Sequence, residues 1–199
     1  MFNLPIFLKI VKVFVYIFSI PFCVIIIILS PFIVIRFGLL SSERIGELAM
    51  RTEIYLMNKM FKTRKTLNID IFTHTHIIAN KTLLDLIKKR LFTFPSIIGY
   101  PIYHLFKILS IKIHFFKKFI IKLPLKDYNH LFSKTESCLK LDTTWLKKGE
   151  EFLEKLKIKK NSKIICLIVR DTNYLQLKFP TKNWNYQNHR NCDLSNYEM

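Results

Sequence analysis

An α/β chain held to a membrane by an N-terminal transmembrane helix is the fold class that the sequence predicts, and three observations carry it. No charged residue occurs between Lys12 and Arg36. From Ser41 onward, helix-like and strand-like segments alternate, as in chains built on a parallel sheet. Near the C-terminal end, Lys163-Ile164-Ile165-Cys166-Leu167-Ile168-Val169 is almost continuously apolar and β-rich, the pattern of a strand buried on both faces.

The uncharged run contains Val24-Ile25-Ile26-Ile27-Ile28-Leu29 and is long enough, as a helix over about residues 12–36, to cross a hydrocarbon core of about 30 Å. It exceeds the apolar region of a cleaved signal peptide and has no small-residue cleavage site behind it. Pro21 and Pro31 each remove a backbone donor, which keeps a kinked span or a re-entrant hairpin open beside a straight span. Lys9 and Lys12 precede the segment while Arg36, Arg44 and Arg51 follow it. Their balance leans toward a C-terminal part in the cytosol, at the cytoplasmic membrane.

Residues 37–160 read as one α/β domain. Ser41-Ser42 are placed to cap a helix with Ile45, Leu48, Ala49, Thr52 and Leu56 inward, and Glu43, Glu47, Arg51 and Lys59 outward. Leu67 to Phe72 alternates as a short strand does, and Asn80 can cap a helix over Thr82–Arg90. An apolar run at Leu91–Phe94, a helix over Tyr103–Leu109, a strand-like Ile111–Phe115 and a helix over Trp145–Leu156 complete the domain. Residues 161–199 would begin a second α/β domain with the Lys163–Val169 strand.

With 199 residues, half of them hydrophobic, and only 4 Gly and 7 Pro, the chain is neither disordered nor fibrous. Its formal net charge of +18 suits anionic partners such as lipid head groups or nucleotide phosphates. Abundant Lys, Ile, Asn and Phe together give a compositional explanation of that charge equal standing. No nucleic-acid-binding module is recognisable, so nucleic acid is not an expected partner. Cys23, Cys138, Cys166 and Cys192 are scattered and expected to be reduced thiols. From Tyr100 to Lys126, phenylalanines alternate with Lys107, Lys112, Lys117, Lys118 and Lys122, which fits either a lipid-facing surface or a core strand flanked by solvated lysines.

Chemistry-bearing residues gather late in the chain. Val169-Arg170-Asp171 ends the apolar strand, where ligands of open α/β sheets bind, and the Arg170 fork suits phosphate with Asp171 orienting it or meeting a sugar hydroxyl. A surface ion pair accounts for the same two residues. Trp184 to Tyr197 supplies stacking faces, amides and a guanidinium, although a plain polar loop has that composition too. Glycine-rich phosphate loops and nucleophile elbows are missing. His74 and His76 lack a supporting carboxylate or thiol, so no metal is expected.

Ser42-Glu43-Arg44-Ile45-Gly46-Glu47-Leu48-Ala49 with Thr52-Glu53-Ile54-Tyr55-Leu56, then Cys166-Leu167-Ile168-Val169-Arg170-Asp171-Thr172-Asn173-Tyr174, then Asn183-Trp184-Asn185-Tyr186 with Arg190-Asn191-Cys192-Asp193-Leu194-Ser195-Asn196-Tyr197, resemble three successive blocks of a bacterial glycosyltransferase family. The resemblance implies a twin-Rossmann, fucosyltransferase-like enzyme using nucleotide-sugar donors in surface polysaccharide or glycolipid assembly. It places Arg170 on donor phosphate, and Asp171, Tyr186, Arg190, Asn191 and Asp193 around the donor, with no cofactor and no assigned catalytic base. Glu47 stands where family members carry histidine, and Gln187-Asn188-His189 replaces their His-Asp-Tyr. By this resemblance the chain is a truncated member. Its expected partners are membrane lipid, a nucleotide sugar, a glycan or lipid-linked acceptor, and a separately encoded C-terminal half without which it is not expected to turn over. The competing expectation is a non-enzymatic membrane-anchored remnant or interaction subunit.

Overall fold

A computed structural model describes residues 4–61, 68–159, 162–164 and 173–191, and their side chains except at 4–12, 187 and 190. The chain divides into two compact units, 1–145 and 146–199. In the first, helix α1 (Leu4–Leu29) leads through a turn into strand β1 (Val34–Leu40). Pro21 lies inside α1, whereas Pro31 falls in the turn behind it, where a residue without an N–H ends a helix at no cost. The segment predicted as one helix to residue 36 is therefore a helix and the start of a strand. Arg36, read as a charge flanking the membrane, lies within β1. Among the described residues no helix is long and apolar enough to cross a membrane.

Helix α2 (Ile45–Phe61), strand β2 (Asn68–His74), helix α3 (Lys81–Arg90) and helix α4 (Ser96–Lys112) follow, then a 3-10 turn (His114–Phe119) and the short strand β3 (Ile120–Ile121). All pairings are parallel, in the order β2-β1-β3, with Phe37 opposite Ile71 on one side and Ile120 on the other. A single parallel bridge between Phe72 and Thr93 adds a further position outside β2. There the Phe72 N–H donates to the Phe92 carbonyl at 2.8 Å and the Phe94 N–H to the Phe72 carbonyl at 2.7 Å. Counted along the chain, the spatial order is 3-2-1-4, that of a Rossmann-like, doubly wound half. The predicted mixed α/β fold with a parallel sheet is observed.

Residues alternate between the two faces of the sheet. On one face Leu40, Phe72 and Ile121 pack with Leu48 and Tyr55 of α2 and Leu84 and Ile87 of α3. On the other, Phe37 and Ile71 pack with Ile102, Tyr103 and Phe106 of α4, Phe119, and Cys23 and Ile26 of α1. Connections that move outward from β1 thus keep their helices on one face, and the return to β3 puts α4 on the opposite face, as right-handed crossovers require. Gly38 is forced by this packing, since a Cβ there would lie 2.5 Å from the Phe72 ring. Gly99 lets α4 approach β2, because its Cβ would meet Thr73 at 2.8 Å.

Asn80 caps α3 as predicted, its side chain accepting from the Leu83 N–H at 2.9 Å. The predicted Tyr103–Leu109 helix is longer at both ends; Gly99 and Pro101, poor helix formers, masked its first turns. Ile111–Phe115, expected as a strand, is the end of α4 and the start of the 3-10 turn. Its apolar residues face outward, Ile111 being 78% exposed, and the partner of β1 comes at Ile120 instead.

Helix α5 (Thr143–Lys155) matches the predicted Trp145–Leu156 helix and crosses the boundary between the units. In the second unit, helix α6 (Asn173–Lys178) and a 3-10 turn (Asn185–Arg190) flank buried Leu175 and Trp184, whose indole donates to the Phe179 carbonyl at 3.2 Å. Of the strand predicted over Lys163–Val169, Lys163 and Ile164 belong to no helix or strand, and 165–169 lie outside the described residues.

Candidate functional site

The connections that leave the carboxyl ends of β1 and β3 continue on the same face of the sheet, since Leu123 packs against the core shared with α2 and α3 and Leu131 against Ile54 and Met57 of α2. The residues at those ends are Ser41 to Arg44 after β1 and Lys122 after β3. Ser42, predicted as a helix cap, does something else. Fully buried, its hydroxyl donates to the Ile77 carbonyl at 2.7 Å and lies 2.7 Å from the Thr75 hydroxyl, while its own carbonyl accepts from the Ala79 N–H at 2.7 Å. The loop after β1 is thereby tied to the loop after β2, which presets this edge of the sheet. Just beyond, Arg44 and Arg51 both pair with Glu47, at 3.2 and 3.0 Å. Glu47 holds two guanidinium groups in place.

A depression opens at the carboxyl end of β2, an open cleft of about 490 Å³ lined by His74, Lys88, Thr93, Phe94, Pro95, Ser96 and Ile97. Lys88, 3.6 Å from Asp85, and the positive end of α4 favour an anionic group there. His74 directs Nδ1 to the Thr75 carbonyl at 2.8 Å, whereas the His76 ring lies 6.0 Å from that of Tyr100. The two imidazoles are engaged separately. Among the described residues no group of three His, Cys, Asp or Glu is placed to hold a metal ion.

Within the sheet lies a polar cluster that sequence reading missed. Arg36 of β1 sits opposite Asp70 of β2 and meets it through both Nε and a terminal nitrogen at 2.7 Å, and the Tyr55 hydroxyl donates to the other carboxylate oxygen. Glu53 is also buried and accepts the backbone N–H groups of Cys138 and of Leu139, the latter at 3.1 Å.

Of the predicted donor residues, Tyr186, Arg190 and Asn191 fall together in and directly behind the 3-10 turn of the second unit. The Tyr186 ring is 62% exposed and 6.2 Å from that of Trp184, and the Asn191 N–H donates to the Asn188 carbonyl at 3.0 Å. Arg190 is described in its backbone alone. Arg170, Asp171 and Asp193 lie outside the described residues.

Another surface feature is apolar and basic. Phe14, Ile17, Phe18, Phe22, Ile25 and Ile28 of α1 are exposed, as are Ile108 and Ile111 of α4 and, behind it, Ile113 and Phe115. Lys107, Lys112, Lys117 and Lys118 border this surface, with the Lys118 ammonium 3.9 Å from the centre of the Phe115 ring. Comparison with protein families, with curated proteins and with solved structures finds no match.

Proposed function

We propose that this chain is the membrane-associated N-terminal portion of a glycosyltransferase that uses a nucleotide-sugar donor in surface polysaccharide or glycolipid assembly. One observation supports the reading above the others: the Rossmann-like parallel sheet, in the order β2-β1-β3 with a further bridge at Thr93 outside β2, since open α/β sheets of this kind bind ligands at the carboxyl ends of their strands. In this reading Arg170 meets donor phosphate, with Asp171, Tyr186, Arg190, Asn191 and Asp193 around the donor. A guanidinium on the diphosphate stabilises charge as the nucleotide leaves. The partners are membrane lipid, at the cytoplasmic membrane with the α/β part in the cytosol, and a C-terminal half supplied as a separate chain.

Titration of the purified chain in mild detergent with nucleoside diphosphates and their sugar conjugates tests this. Heat of binding that is lost in Arg170→Ala is expected, and its absence in the wild-type chain overturns the donor site. The apolar, lysine-bordered surface favours a second reading, a non-enzymatic membrane-bound interaction subunit, because it needs no donor. Membrane binding without nucleotide binding is the outcome that selects it.

A further inference from the structure

We infer that α1 lies in the plane of the membrane rather than across it, and that α1, α4 and the His114–Phe119 turn form one platform seated in the head-group layer of an anionic leaflet. This rests on the membrane association proposed above and specifies its geometry. Ser19, Cys23, Ile26 and Ser30 are the buried residues along the described part of this segment, and their spacings of 4, 3 and 4 put them on one stripe of a helix. Cys23 and Ile26 share a core with Phe37, Ile71, Ile102 and Phe106. At one end of the stripe the Tyr16 hydroxyl meets His104 Nδ1 at 3.0 Å, and at the other Lys118 donates to the Ser30 hydroxyl at 3.0 Å.

The domain therefore grips α1 from Tyr16 to Ser30, about 21 Å of helix at 1.5 Å per residue. A helix crossing the bilayer along that length would drag α4 and its lysines into the hydrocarbon, where charged groups are costly. Lying flat, α1 keeps its gripped stripe on the protein and turns the opposite face to lipid. Phe18 is 70% exposed and Ile28 66%, and Phe32, in the turn behind the helix, is 82% exposed. Because α4 packs beside α1 on the same sheet face, Ile108 and Ile111 look outward with them, and the exposed Lys107, Lys112 and Lys117 reach the phosphates. A helix with such a division rests about 5–10 Å deep, at the boundary of head groups and acyl chains. The charge identifies the occupant: like-charged lysine borders oppose a second copy of the chain, whereas an anionic leaflet matches them.

The test uses the full chain with phosphatidylcholine vesicles, with and without phosphatidylglycerol, in flotation assays. It adds Phe18→Trp, Ile25→Trp and Ile111→Trp, read by quenching with lipids brominated at shallow or deep acyl positions. Seated flat, all three tryptophans are quenched best by the shallow bromines, and each of Lys112→Ala and Lys117→Ala weakens binding to anionic vesicles about fivefold. Strongest quenching of Ile25→Trp by the deep bromines, with Ile111→Trp unquenched, overturns the flat geometry and leaves the membrane reading standing. No flotation with either vesicle overturns both, and lipid-independent dimers that hide the three tryptophans assign the surface to a second copy.

Discussion

Gly38 and Phe72 show how tightly single residues are bound to this sheet. A side chain at position 38 has no space, since its first carbon would fall 2.5 Å from the Phe72 ring and 3.3 Å from Ile121 Cβ. Gly38→Val is expected to destabilise the first unit by about 1–3 kcal/mol, with Phe72→Leu restoring part of the loss when combined. Denaturant titration of the single and double variants measures this. At Asp70, Tyr55→Phe removes one donor and is expected to cost about 1 kcal/mol, whereas Asp70→Ala removes the carboxylate that both Arg36 and Tyr55 meet and costs about 2–4 kcal/mol. Equal effects in denaturation would dismiss the ion pair as an organiser. Neither feature was legible. Asp70 occupies a polar place in an alternating strand and reads as solvent-facing, and its partner Arg36 reads as a membrane flank 34 residues away.

Elements with strong local signals were legible, and those defined by distant partners were not. Asn80 before Leu83, Leu84 and Ile87 announces α3, and the spacing of Leu48, Thr52 and Leu56 announces α2. By contrast β1 follows the apolar run directly, so hydropathy merges it with α1, and β3 has two residues, too few for any period. The same limit hid the tie between α2 and the segment near Cys138, which depends on Glu53 accepting two backbone N–H groups 85 and 86 residues away. Burial, helped by the charge of Glu53, pushes the Cys138 thiol above its ordinary range. A raised pKa keeps the thiolate scarce at neutral pH, so alkylation of Cys138 should be slow and rise only in alkali. Glu53→Gln removes a raising influence and is expected to move the alkylation profile of the Cys138 peptide, followed by mass spectrometry, to lower pH. An unchanged profile would detach Glu53 from that thiol.

At the scale of the molecule, alternation of helices and strands predicted a parallel sheet, but strand order is a property of long-range pairing that no local pattern encodes. The candidate site was legible only as residue types. Tyr186, Arg190 and Asn191 do fall together, while the Ser42 tie and the Lys88 cleft arise from loops that meet only after folding. The exposed apolar surface also has a bulk consequence. Phe32→Ser and Ile111→Ser together are expected to raise recovery of the chain without detergent. Both side chains stand outside the core, so stability should change by no more than about 0.5 kcal/mol per site. Fractionation of expressed protein, with a melting curve on each variant, measures both quantities.

On the membrane-bound transferase reading proposed above, the bonds Tyr16 makes to His104, and Lys118 to Ser30, have a geometric outcome for any acceptor met at the carboxyl edge of the sheet. A domain on a loose tether sweeps a volume above its membrane and meets groups at many heights. A domain fused along its anchor holds its working edge at one altitude, with the bilayer surface as the datum. Acceptors would then be sorted by stand-off: a hydroxyl presented at the matching height is met repeatedly, and the same hydroxyl on a longer or shorter stalk is passed by.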